Sequence, residues 1–373
     1  MMDEAFPFEG KVFVSALQGP VTANDIAREL TAEVVEDGDQ LFEVIRRYEW
    51  VLANVLRKEG VKSGDSVRLV LPFLKAYGAT DSLLLRLSKQ RLRIVPGADK
   101  AMRYVQELMS SFILSTSFEH YVGVACDQIG FPFESTFCTR LSMDMLEIED
   151  WEGETLRTLA REIVRLPPLE VPEGARSIRD LGPDARLALR RLDEIFWTEM
   201  TDLSSYQLVS QVSPVGRDEK ATSVVEICKR MSVPLEDCMY IGDGDTDARA
   251  LQVVRRSGGL AVAFNGNLSA LQEAEVGTIT PNAIVTSILA ELFYRGGRDG
   301  VLEAIEGWST EGLRSTGMVH NYLLRELSRT FPEALPTVRR MSKECLPAMF
   351  HEAARMRIQM RRPLPNAPSD EMS

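Results

Sequence analysis

The chain has 373 residues, of which 45% are hydrophobic and 26% charged, a composition that fits a globular protein of two or three domains. Its formal net charge of -12 argues against a nucleic-acid or anionic-membrane surface and obliges any small anionic ligand to find a local basic pocket. The five cysteines, at 126, 138, 228, 238 and 345, are odd in number and lack a CxxC pair, so no disulfide framework or zinc site is expected. The acidic start MMDEAFPFEGK and the lack of an apolar run near 18 residues argue against a signal peptide and a membrane span. A cytoplasmic protein is expected.

Residues 11–15, KVFVS, read as a strand that stops at ALQGPVTANDIAREL, where Gly19 and Pro20 force a loop and Asn24 or Asp25 caps the next helix. Leu41, Val44, Ile45, Tyr48, Val51, Leu52 and Val55 recur at helical spacing, and helical patterns continue to about residue 95, broken by Gly60, Gly64 and Gly78. Residues 28–95 therefore read as a helical cap inserted after the first strand. Pro96 and Gly97 mark the return, 98–109 an amphipathic helix, and SFILSTS a buried strand with hydroxyls at its carboxyl end. His120, near the start of the following helix, is a candidate general base that competes with a structural role.

Residues 144–210 form a second insertion, with helices around 154–164 and 183–200 separated by LPPLEVPEG. Arg186, Arg190 and Arg191 in it read as either a phosphate-binding face or an exposed helix surface. Lys220 lies in the first turn of a helix at 219–230, where a cation opposes the helix dipole unless an anion is close.

Residues 240–247, YIGDGDTD, carry the strongest signal. A short apolar strand over 238–241 meets a Gly242/Gly244 turn and a helix from 247, which gathers Asp243, Asp245 and Asp247 at a strand's carboxyl end. Carboxylates so close repel one another unless a cation lies between them, and a hard ion such as Mg²⁺ is the natural occupant. An EF-hand is excluded, because its required Gly and Glu are here Ala248 and Val254. After this element come a strand at 259–264 ending at Asn265, a helix over 283–294 and a largely helical region with a Met stripe suited to packing.

In that order, Ser115, Lys220 and Asp243 with Asp247 resemble the second, third and fourth motifs of the haloacid dehalogenase superfamily of phosphohydrolases, over about residues 11–295. Within it the chain is most similar to phosphoserine-phosphatase-like proteins, whose helical cap also follows the first motif. FVSALQGPVTANDIAREL and FILSTSFEHYVGVACDQIGFP are similar to archaeal-type energy-converting hydrogenase subunit R proteins. The resemblance implies a doubly wound parallel α/β core (11–27, 96–143 and 211–295), the cap, the second insertion, a helical C-terminal extension (296–361) and a flexible tail (362–373).

It also implies Mg²⁺-dependent hydrolysis of a small phosphate monoester. Ser115, Lys220 and Asn265 would contact the phosphoryl group, and Asp243, Asp247 and the Gln18 carbonyl would hold the metal. The first motif departs from the pattern. Ala16 stands where the family has its nucleophilic aspartate, and Gln18 where it has its acid/base. Three readings follow: a natural pseudoenzyme that binds a phosphorylated metabolite or a protein partner, a phosphatase whose nucleophile was replaced by Ala, or a scaffold subunit acting through its C-terminal helices.

Overall fold

The computed structural model describes residues 10–172 and 174–361, so the expected tail at 362–373 lies outside the described residues. Seven strands form one sheet: β1 (Val12–Ala16), β2 (Ser110–Phe118), β3 (Thr136–Thr139), β4 (Cys238–Gly242), β5 (Leu260–Phe264), β6 (Val276–Ile279) and β7 (Thr337–Arg340). Their order is β3-β2-β1-β4-β5-β6-β7, and all neighbours are parallel except β6 and β7. This is the expected α/β architecture, a mostly parallel sheet with flanking helices.

The alternation of a buried strand decides its two faces. Phe13, Ile241 and Val262 enter one apolar core, while Val12, Val14, Tyr240 and Ala261 enter the other. Ala16 pairs with Leu114 and Ser15 with Ile241, so the carboxyl ends of β1, β2 and β4 lie side by side where the strand order turns back.

The two inserted segments make one helical lobe. The cap helix Gly38–Trp50 carries Tyr48, whose hydroxyl donates to Asp193 Oδ1 at 2.6 Å and accepts from Trp197 Nε1 at 2.7 Å. Its ring stacks on Phe196 at 5.5 Å between centroids. Glu152, in the insertion helix Asp150–Val164, is buried and takes bonds from Ser205 N–H and Ser204 Oγ, both at 2.7 Å.

The C-terminal extension is not wholly helical. β7 adds an antiparallel strand to the sheet edge, and Arg340 Nε and Arg298 Nη2 each reach the buried carboxylate of Glu275 at 3.1 Å. Four residues with two exposed side chains carry too little periodicity to be seen in sequence. The last helix, Leu346–Arg361, buries Met349 and Ala353 against the sheet. Gly277 permits this, since a Cβ there would lie 2.8 Å from Met349 Cε. Among the described residues no helix is long and apolar enough to cross a membrane.

Candidate functional site

β1 ends at Ala16, whose methyl is buried at the centre of the strand-end row. The chain then folds into a tight loop in which Thr22 N–H donates to Leu17 O at 2.9 Å and Gly19 N–H to Thr22 O at 2.8 Å. Gly19 has φ +90°, and a Cβ on it would lie 2.3 Å from Asp243 Cγ. Glycine is therefore required twice, for its backbone conformation and for the approach of the loop to that carboxyl group.

The turn from Gly242 to Asp247 is held from within. Asp247 Oδ1 accepts from Lys220 Nζ and Tyr240 OH, each at 2.7 Å, and Oδ2 accepts from the N–H groups of Asp243 at 3.1 Å and Gly244 at 3.0 Å. Burial opposes its ionisation, but the Lys220 ammonium, the Tyr240 hydroxyl and the Gly244 N–H outweigh burial and hold the carboxyl below its usual range. Lys220 is itself buried and also lies 3.3 Å from Thr246 Oγ1. Its charge is thus taken up by Asp247.

Ser115 and Asn265 are bonded internally as well. Ser115 Oγ accepts from Ser117 N–H at 3.1 Å. Asn265, at φ +48°, clasps Thr280: Nδ2 donates to Thr280 O at 2.7 Å and Oδ1 accepts from Thr280 N–H at 2.8 Å.

A cavity of about 480 Å³ opens between these strand ends and the cap. Of the residues expected in the site, Gln18, Asp243 and Asn265 line it, whereas Ala16, Ser115, Lys220 and Asp247 lie behind its wall; Asp245, a turn residue outside the expected site, lines it as well. Thr116 and Ser117 face it in place of Ser115. His120 is elsewhere, 3.1 Å from Asp81 Oδ1 of the cap, and its place in the site is not realised. Arg186 and Arg190 are exposed, and Arg191 is ion-paired with Glu162, Glu194 and Glu199.

Sequence reasoning missed several residues of the wall. Arg357, Met360 and Arg361 reach it from the C-terminal helix, and Glu49 from the cap. Two signals were available. The arginines recur at i and i+4, and Glu49 falls four residues after Ile45 on an otherwise apolar face. Burial pushes the Glu49 carboxyl up to about 8, with Asp65 and Asp245 adding to the rise and the Gly64 N–H and Ser66 hydroxyl opposing it. Burial and the Asp247 charge push Asp243 up to about 7, against the pull of Arg361, Lys220 and Arg357.

These residues do not fit the expected Mg²⁺. That ion demands a near-octahedral shell of oxygens, normally including one or two free carboxylates. Both oxygens of Asp247 already accept two protein hydrogen bonds each, and two guanidinium groups share the surroundings of Asp243. Among the described residues no three acidic, His or Cys side chains form a metal-binding group.

No family model and no curated protein matches the chain. Among solved structures, gene product AF1437 from Archaeoglobus fulgidus is similar with a TM-score of 0.77 and 25% identity, covering 95% of this chain and 97% of that one. A phosphoserine phosphatase in apo form gives a TM-score of 0.44 and 13% identity over 74% of this chain and 96% of its own. A HAD family hydrolase from Salmonella enterica subsp. enterica serovar Typhi gives 0.39 and 10% over 68% and 61%. The sheet order, the cap after β1 and the helical extension make the fold of this chain a mostly parallel α/β core with an inserted helical lobe, a fold it shares with gene product AF1437 over nearly the whole length of both chains.

Proposed function

We propose that this chain is a phosphatase-fold protein that binds a small phosphorylated metabolite and does not hydrolyse it. The observation that carries this reading is the pairing of a methyl group with a well-formed cavity: Ala16 closes β1 where a nucleophile is needed, yet the strand ends around it still wall a space of about 480 Å³. A methyl group has no lone pair with which to attack phosphorus. Gln18 and Asn24, joined by a 3.3 Å bond from Gln18 Nε2 to Asn24 O, fix the loop that follows and supply no titratable acid there.

What the chain's own residues do is hold and orient. Asp247, gripped by four donors, sets the turn that presents Asp243, and the Asp243 carbonyl accepts from Asn267 N–H at 2.8 Å. Ser117 and the Gln18 amide give the wall polar groups for a phosphate ester. The cap closes the far side through Glu49, Trp50 and Ser63, which would recognise the rest of the ligand. The C-terminal extension, expected from the sequence to serve a protein partner, is proposed to serve this pocket first.

The test has two arms. Turnover of p-nitrophenyl phosphate with Mg²⁺ should stay at background for the wild type and for Ala16→Asp, since neither has a complete metal site, whereas calorimetry should detect orthophosphate or a phosphorylated metabolite. Mg²⁺-dependent turnover by the wild-type chain that is lost in Asp243→Asn would overturn the non-catalytic reading. Turnover by Ala16→Asp alone would show that the nucleophile was the one missing part.

A further inference from the structure

The cations that motif reasoning assigns to a phosphate are not the ones that face the cavity. Lys220 lies behind the wall, bonded to Asp247 at 2.7 Å. Arg357 and Arg361, one helical turn apart on the C-terminal helix, reach the wall beside Asp243 instead.

Arg357 is held in place by a chain of contacts. Its Nη1 donates to Asn265 O at 2.7 Å, and that carbonyl is fixed because both ends of the Asn265 amide clasp Thr280. Met360 Sδ lies 3.2 Å from Asn265 Nδ2, which packs the same helical turn against the same residue. Arg361 O accepts from Arg93 Nη1 at 3.3 Å, tying the helix end to the strand-like return from the cap. A guanidinium has five N–H donors in a planar fork, and the Asn265 bond uses one of them. Asp243 and Asp245 act on Arg357 through charge rather than through a hydrogen bond, while burial and the like charge of Arg361 weigh against its protonated form. A half-buried guanidinium such as that of Arg357, with the like charge of Arg361 one turn away, is costly unless an anion sits against it.

Resting on the phosphate-ligand reading above, we propose that Arg357 and Arg361 take the part a divalent cation would play, so that this cavity binds a phosphoryl dianion without metal. The fork of Arg357 offers two parallel N–H groups to two phosphate oxygens, a match a lysine ammonium does not provide. Arg361 supplies the second charge, and the Ser117 hydroxyl faces the same space from β2. Three features that otherwise lack a common reason are explained together: Ala16 removes a repelling carboxylate, Asp247 is closed to metal, and the last helix brings two arginines to the cavity wall.

Calorimetric titration of the full chain with inorganic phosphate, in EDTA and again with Mg²⁺, tests this. The expected result is the same affinity in both buffers, a loss of about tenfold or more in Arg357→Ala, and an intermediate loss in Arg357→Lys, which keeps the charge and loses the fork. Arg361→Ala should weaken binding about threefold to tenfold, as loss of a more exposed charge does. Circular dichroism of each variant separates local loss from unfolding, and Arg361→Ala, at an exposed helix end, gives a readout even if Arg357→Ala fails to fold. Phosphate binding that vanishes in EDTA would overturn the arginine assignment and leave the phosphate-ligand reading standing. Binding unchanged in both Arg361→Ala and Arg357→Lys overturns it in the same way. No phosphate binding in either buffer would sink the phosphate-ligand reading, and this inference with it.

Discussion

Lys220 and Arg357 both act on Asp243 by charge, yet one is enclosed by the core and the other is laid on from the far end of the chain. Lys220 has a buried partner at 2.7 Å, so its contribution is to keep the turn from Gly242 to Asp247 in shape. Arg357 is bonded to a single backbone carbonyl and faces open space. The difference teaches that a cation marked by sequence position can be consumed by its own neighbour, while one the sequence does not mark faces the cavity. Once Asp247 supplies the charge Lys220 needs, the pair is a structural element, and the cations left facing the cavity are those the surrounding elements bring.

The sharpest break of this comparison is to remove the enclosed cation. Lys220→Met should destabilise the chain by about 3–5 kcal/mol, because it leaves the Asp247 carboxylate buried without its counter-charge. Urea denaturation measures this, and a loss below about 1 kcal/mol would mean that the pair does not hold the turn.

Gly19→Ala should come next. A Cβ at φ +90° and 2.3 Å from Asp243 Cγ forces the loop and the carboxyl apart. We expect a cost of about 2 kcal/mol and a weakened phosphate titration together. Stability lost with phosphate affinity intact would show that the loop's approach to Asp243 does not shape the pocket.

Glu49 sharpens the comparison from the cap side. Its carboxyl keeps a proton up to about pH 8 in the folded chain, while the unfolded chain releases it near the ordinary 4.5. Between those values the folded state binds more protons, so the Glu49 contribution to stability falls as pH rises through that window. Glu49→Gln should therefore gain on the wild type by about 3 kcal/mol when the pH is raised from about 5 to about 8. Denaturation midpoints that differ by the same amount at both pH values would refute the shift.

The smallest effect belongs to the insertion. Arg186→Ala should change stability by less than about 0.5 kcal/mol and leave phosphate affinity alone, because the side chain is exposed and far from the wall. A fall in affinity would return the basic face of the insertion to consideration.

The local part of this protein was legible in its sequence. Strand, glycine turn and helix follow from residues a few positions apart, so the places of Ala16 and Asp243 at strand ends, of Ser115 on a buried strand and of Asp247 at a helix start could be read directly. That the Ala16 side chain offers no nucleophile also needed no structure. What the tertiary structure alone decided was the direction each of these groups faces and who its partners are. Asp247 closes on Lys220 and Tyr240, Asn265 clasps Thr280, and β7 takes the sheet edge because Glu275 gathers arginines from separate elements. Arg357 and Arg361 reach the cavity because Met349, earlier in the same helix, packs where Gly277 leaves room, and Ala353 is buried with it in the same core. A hydrogen bond or an ion pair is fixed by a distance of about 3 Å between atoms, and sequence spacing carries that distance only within an element. Across elements it is set by how side-chain volumes fill the core, which no single stretch of the chain contains.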